Sequence, residues 1–168
     1  DPLSPRLLSL LLRPVMPTER PISELLRKRG VIVYTGPSTT VRDAVETMSN
    51  HNIGSIAVMD DDRNLTGIFT ERDLLNRVVN EDHDPAETRI EDVMTEDVIV
   101  VSGDTSRSDA LSLMEEEHIR HLPIADENEL YGIVSLRDLL TFEREMQQFE
   151  IEQLREFVFE KPYPSYPG

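Results

Sequence analysis

"GIFTERDLLNRV", Gly67 to Val78, and "GIVSLRDLLTFE", Gly132 to Glu143, are two spellings of one pattern. Both read Gly, Ile, an apolar residue, a hydroxyl, two further positions of which the second is Arg, then Asp-Leu-Leu. Working outward, Asp43-Ala44 aligns with Asp109-Ala110 at an offset of 66, as do Thr39 with Thr105, Met48 with Met114, Ile53 with Ile119 and Asp60 with Asp126. One residue drops out in a turn, and at an offset of 65 Leu65 meets Leu130 and Gly67 meets Gly132. A fixed internal period signals a duplicated supersecondary unit.

Each copy carries the same punctuation. "VIVY" (31–34) and "VIVV" (98–101) are β-branched runs that predict strands. Thr40 and Ser106 then stand as helix N-caps, with Asp43 and Asp109 three residues on, a capping box with Asp in the acidic place. Val41, Ala44, Val45 and Met48, and likewise Ala110, Leu111, Leu113 and Met114, recur at helical spacing. "SIAVMD" and "LTGIFT", and "HLPIAD" and "LYGIVS", predict paired strands across polar turns, and "ERDLLNRVV" and "LRDLLTFER" open closing helices. The order is β-α-β-β-α, twice, an α/β (α+β) fold. The expected divisions are an N-terminal arm (1–21), repeat 1 (22–82), a polar linker (83–89), repeat 2 (90–141) and a C-terminal helix with a Pro-rich tail (142–168). "IEDVM" before repeat 2 echoes "ISELL" before repeat 1, so each repeat is expected to carry its own leading apolar turn.

Composition narrows the function. The 168 residues include 38% apolar types, enough for a core, and no apolar run nears the roughly 20 residues of a membrane span. "LLSLLL" (7–12) reads as a short packing helix or as the remnant of a targeting segment. The absence of cysteine excludes disulfides and thiol chemistry and directs the expectation of location to the cytoplasm. A net charge of −16 repels nucleic acid and anionic lipid. Lys28 and Lys161 are the only lysines among 17 basic residues, which fits either a high-salt habitat or a GC-rich genome. No P-loop string occurs, and His118 and His121 have no third metal ligand at a plausible spacing. His51 and His83 look incidental, and the runs "DDDR" and "EEEH" read as solvated turns or faces.

The repeated string admits two readings. A hydroxyl at Thr70 or Ser135 and a carboxylate at Asp73 or Asp138, three residues on, form a local helix cap. The same carboxylate could accept both hydroxyls of a ribose, with a nearby Arg holding a phosphate.

The doubled unit resembles a tandem pair of cystathionine β-synthase (CBS) domains, the Bateman module, over residues 22 to 145. The resemblance rests on Pro37 and Thr40 before the Asp-Ala helix, on "NIGSIAV" and "HIRHLPI", and on the two "GIFTERD" and "GIVSLRD" strings. It implies two repeats packed through their sheets about a pseudo-twofold axis, with two clefts that in many members hold AMP, ADP, ATP, S-adenosylmethionine, NADH or cyclic dinucleotides. It implies a regulatory, non-catalytic module without a required cofactor or metal, commonly a homodimer, acting on a protein partner. By the same resemblance Asp73 and Asp138 match the ribose-binding aspartate, and Thr70 and Ser135 the hydroxyl beside it. Thr35 and Val101 match the strand that offers backbone to adenine, Ile56 and Leu122 the apolar walls, and Arg120 and His121 the basic phosphate ligands. Gly54 and Ser55 occupy that last place in copy one without charge, leaving Arg72 and Arg137 as further cations. The expectation is therefore of unequal clefts, the one with Arg120, His121, Ser135 and Asp138 binding phosphate better. The alternative is a constitutive dimeric scaffold with vestigial clefts. The Phe-rich segment from Phe142 to Phe159, with Phe142, Met146, Phe149 and Phe157 on one side, either packs on the repeats or crosses to a second subunit.

Overall fold

The structure, a computed structural model, describes residues 21–27, 31–127 and 129–159, and of positions 27, 156, 157 and 159 the backbone alone. "LLSLLL", all of the expected arm but Pro21, the Phe157 side chain and the tail with Tyr163 and Tyr166 lie outside the described residues.

Repeat 1 begins with a short helix α1 (Ser23–Arg27), then β1 (Tyr34–Thr35), α2 (Val41–His51), β2 (Ser55–Met59) and β3 (Leu65–Thr70). A single turn α3 (Glu71–Asp73) continues as a π-helical segment, Leu74–Val79. Repeat 2 follows with α4 (Ile90–Val93), α5 (Arg107–Glu116), β4 (His121–Asp126), β5 (Glu129–Ser135) and the long α6 (Leu136–Phe159). β1-β2-β3 form one sheet, with β1 parallel to β2 across the α2 crossover, and β4-β5 an antiparallel pair.

The caps form where the sequence places them. Thr40 Oγ1 accepts from the Asp43 amide at 3.2 Å, and Ser106 Oγ from the Asp109 amide at 3.1 Å. Each satisfies a donor that the first helical turn otherwise leaves unpaired. Asn52 closes α2 in the left-handed conformation, φ 53°, returning its amide to Met48 and Ser49.

The duplication persists in register. Thr35 pairs with Val58 and Val101 with Ile124, both in parallel, and the bulges fall at Val58/Met59 and at Ile124/Ala125, each 66 positions apart. The leading strands are shorter than the sequence predicts. "VIVY" contributes only Tyr34 to β1, and "VIVV" is reduced to the bridge at Val101. Both lie at a sheet edge with one neighbour, so β-branched residues there need not be hydrogen-bonded strand.

The two leading turns are exchanged. Ile22 is fully buried with Ala110, Met114, Leu122 and Val134 of repeat 2, while Ile90, Val93 and Met94 are buried with Val41, Met48 and Phe69 of repeat 1. The amide of Ile22 donates to Thr105 O at 2.9 Å, and that of Ile90 to Thr39 O at 2.9 Å. This corrects the expectation of one leading turn per repeat, since each turn completes the core of the other copy. The repeated glycines receive them. A Cβ on Gly67 would meet Met94 Sδ at 2.6 Å, and Gly132, at φ +148°, lies under Leu26. A third cluster, Ala57, Met59 and Leu130 with Ile32, Leu65, Ala125 and Ile133, packs the sheets of the two repeats together.

α6 is a single 24-residue helix, about 36 Å long at ~1.5 Å per residue, so the expected boundary at 141/142 falls inside it. Near its start the Arg107 guanidinium, 1% exposed, lies over the Phe142 ring at 4.8 Å and meets Glu143 at 3.4 Å, which ties α6 to α5. Beyond Met146 the described side chains are exposed, among them Phe149, Ile151, Leu154 and Val158.

Candidate functional site: one cleft between the repeats

An open cleft of about 1470 Å³ lies between the repeats. One wall is Ile32, Val33, Ile53, Gly54 and Glu71 of repeat 1; the other is Arg120, His121, Ile133, Ser135, Arg137 and Asp138 of repeat 2, with Arg144 further along α6. It exceeds the several hundred Å³ of an ordinary small-ligand pocket. Its lining mixes apolar side chains such as Ile32, Val33, Ile53 and Ile133 with charged ones of both signs. Arg120, Arg137 and Arg144 are all exposed and, among the described residues, none of the three makes an ion pair. The cleft thus gathers three guanidiniums in a chain of charge −16, with the carboxylates of Glu71 and Asp138 also on its lining.

β4 and β5 bring the polar residues together: His121 pairs directly with Ser135, and the Leu136 amide donates to Arg120 O at 2.8 Å. Ser135 then caps α6, its amide donating to Asp138 Oδ2 at 2.8 Å and its Oγ accepting from the Asp138 amide at 3.2 Å. The half-buried Asp138 thus both caps the helix and borders the cleft. Gly54 allows the repeats to approach here. Its absent Cβ would sit 3.2 Å from Glu71 Oε2 and 3.3 Å from His121 Nε2. Burial lowers the His121 pKa below its ordinary 6.5; Glu71 and Asp138 pull it back up, and Arg120 presses it down.

The Thr70–Asp73 pair is built differently. Asp73 is 7% exposed. Its Oδ2 accepts from the Thr70 amide at 2.9 Å and from Thr70 Oγ1 at 2.8 Å, while its Oδ1 accepts from Thr95 Oγ1 at 3.1 Å and faces Arg77 Nε at 3.7 Å. Arg77 also donates to the carbonyls of Val93 and Met94. Oδ2 is committed to the local cap at Thr70 and Oδ1 to Thr95, just past α4, and Arg77, so here the capping reading of the motif prevails. Neither Thr70 nor Asp73 borders the cleft.

Among the other expected site residues, Ile56 and Leu122 are fully buried in the cores of their own repeats and are not cleft walls. Thr35 and Val101 pair with Val58 and Ile124 at the sheet edges and do not line the cleft; Ile32 and Val33, just before Thr35 in repeat 1, do. Arg72 leaves the cleft and donates to His118 O of repeat 2 at 3.3 Å. Glu71, Arg77 and Arg144 were not singled out by sequence. Glu71 and Arg77 stand at variable places of the repeated string, and Arg144 lies beyond it. Among the described residues no cluster of three or more His, Cys, Asp or Glu side chains could hold a metal, and no helix is long and apolar enough to cross a membrane.

Two fused α/β repeats that exchange their leading turns across an open cleft define a tandem α/β module. The CBS-domain profile matches residues 22–80 and 90–145, and the chain belongs to the CBS-domain family. Similar proteins include a 17.7 kDa protein of Acidianus ambivalens, 44% identical over 104 residues, 61% of this chain and 62% of that one. The CBS domain-containing protein YhcV of Bacillus subtilis is 35% identical over 64% of this chain and 76% of its own length. Among solved structures, an uncharacterized conserved protein from Pyrococcus horikoshii superposes with TM-score 0.69 at 31% identity, over 76% of this chain and 94% of that one. A CBS-domain containing protein from Agrobacterium tumefaciens gives 0.68 at 28% identity, over 73% and 98%.

Proposed function

We propose that the chain is a non-catalytic regulatory module that binds one adenine nucleotide or related adenosyl ligand in the cleft lined by Ser135, Asp138, Arg120 and His121. The observation that carries the reading is the coincidence, in one cleft, of apolar side chains for a base, a carboxylate at a helix start for a ribose, and arginines without ion pairs for phosphate. CBS pairs generally serve as regulatory modules for adenosine ligands. Relatives of this segment occur within larger enzymes: inosine-5'-monophosphate dehydrogenase of Methanocaldococcus jannaschii, of which it covers 21%, and arabinose 5-phosphate isomerase of Yersinia pestis, of which it covers 36%.

Ligand binding regulates only if it favours one of two arrangements of the protein. α6 borders the cleft with Arg137, Thr141 and Arg144 and then carries exposed apolar residues outward, so it connects the site to a surface where a second copy or a regulated protein would sit. A similar structure, at TM-score 0.65 and 27% identity, is that of a hexameric CBS-CP12 protein from cyanobacteria. Calorimetric titration with AMP, ADP, ATP and S-adenosylmethionine tests the reading. Binding of at least one at micromolar concentration, abolished by Asp138→Ala, supports it. No binding by any of the four overturns it in favour of a scaffold, which the self-satisfied Asp73 and the exposed α6 face otherwise favour.

A further inference from the structure

The cleft, at about 1470 Å³, is roomier than an ordinary small-ligand pocket, and its arginines come from separate places in the fold. Arg120 and His121 stand at the start of β4, beside the first turn of α6. Arg137 and Arg144 are seven residues apart on α6, hence on one helical face, and Arg144 lies six residues past Asp138, about 9 Å along the axis at ~1.5 Å per residue. The counterpart helix of repeat 1 has no such extension, because its string ends in the short π-helical segment Leu74–Val79. Arg144 has no carboxylate partner among the described residues, although the chain carries 33 acidic residues. A guanidinium without an ion pair, fewer than two helical turns past Asp138, suits the far end of a phosphate chain.

We propose that Arg144 is a specificity residue that binds the distal phosphate of a nucleoside polyphosphate, so that the cleft prefers a di- or triphosphate to a monophosphate. This rests on the nucleotide reading of the same cleft. A phosphate chain extending from a ribose at Asp138 approaches Arg144 as it lengthens, so a di- or triphosphate engages it more fully than a monophosphate. Its closure on Arg144 would fix α6 against the cleft, a consequence that a monophosphate lacks.

The test is calorimetric titration of the full chain with AMP and with ATP, for the wild type, Arg144→Gln and Arg155→Gln. Arg155 lies further along α6, outside the cleft, and controls for the loss of one positive charge; Gln is a comparable helix former at both exposed positions. A charge-assisted hydrogen bond to phosphate corresponds to roughly a tenfold effect or more. The expected result is ATP binding about tenfold tighter than AMP in the wild type and in Arg155→Gln, with Arg144→Gln weakening ATP to the level of AMP and leaving AMP unchanged. Equal affinity for AMP and ATP in the wild type, or an equal loss for both in Arg144→Gln, overturns the Arg144 assignment while the nucleotide reading stands. Failure of both nucleotides to bind overturns the two together.

Discussion

Replacing Asp73 and Asp138 one at a time should separate two uses of one motif. At Asp73 the carboxylate holds the Thr70 amide and hydroxyl, the Thr95 hydroxyl and the Arg77 guanidinium at 7% exposure. Asp73→Ala removes a cap worth about 0.5–2 kcal/mol. It also leaves neighbouring donors unpaired at about 1–3 kcal/mol each, partly offset where water reaches Arg77. These terms overlap, so a total of about 3–4 kcal/mol is expected, or a fall in Tm of about 10 °C for a chain of this length. Asp138 is half-buried beside an open cleft, and Asp138→Ala should cost at least its cap on α6, about 1 kcal/mol. Urea unfolding of the two variants, followed by nucleotide titration at a temperature where both are folded, reads both roles. Asp73→Ala should be much the less stable yet bind as the wild type does, and Asp138→Ala nearly as stable yet unable to bind. A stable Asp73→Ala that loses the nucleotide would refute the argument.

Three further outcomes follow from the same contacts. Gly67→Ala places a methyl 2.6 Å from Met94 Sδ and 2.9 Å from the Thr95 carbonyl, and should lower stability by about 1–3 kcal/mol in chemical denaturation, with a similar loss for Gly132→Ala from its φ of +148°. His121 is pushed below its ordinary 6.5 by burial, so the unfolded chain takes up its proton first on acidification. Its contribution to stability is therefore present above about pH 6.5 and is lost as pH falls below that value. The drop in urea midpoint between about pH 7.5 and 5.5 should shrink in His121→Asn. A charge of −16 predicts a rise in Tm between about 0.1 M and 1 M KCl, seen by scanning calorimetry, if self-repulsion limits the fold.

The duplication, the caps at Thr40 and Ser106 and the return strands were legible in the sequence because each depends on neighbours within a few residues. The exchange of leading turns was not. Ile22 and Ile90 carry the same apolar signal whichever core they enter, and only the tertiary approach of Leu26 to Gly132 and Met94 to Gly67 decides it. The same holds for the site. Ser135 and Thr70 head identical caps, and the difference between a cleft and a closed contact comes from Thr95 and Arg77, 25 and 7 positions from Thr70. Ile56 and Leu122 show the converse case, since a strand with both faces covered buries residues that alternation would place at a surface.

The central claim is that two copies of one motif give one ligand site. Equilibrium dialysis with labelled ATP over the full chain at saturating concentration measures it directly. One nucleotide should bind per chain, and none to Asp138→Ala. Two nucleotides per chain, or one that persists in Asp138→Ala, would contradict it.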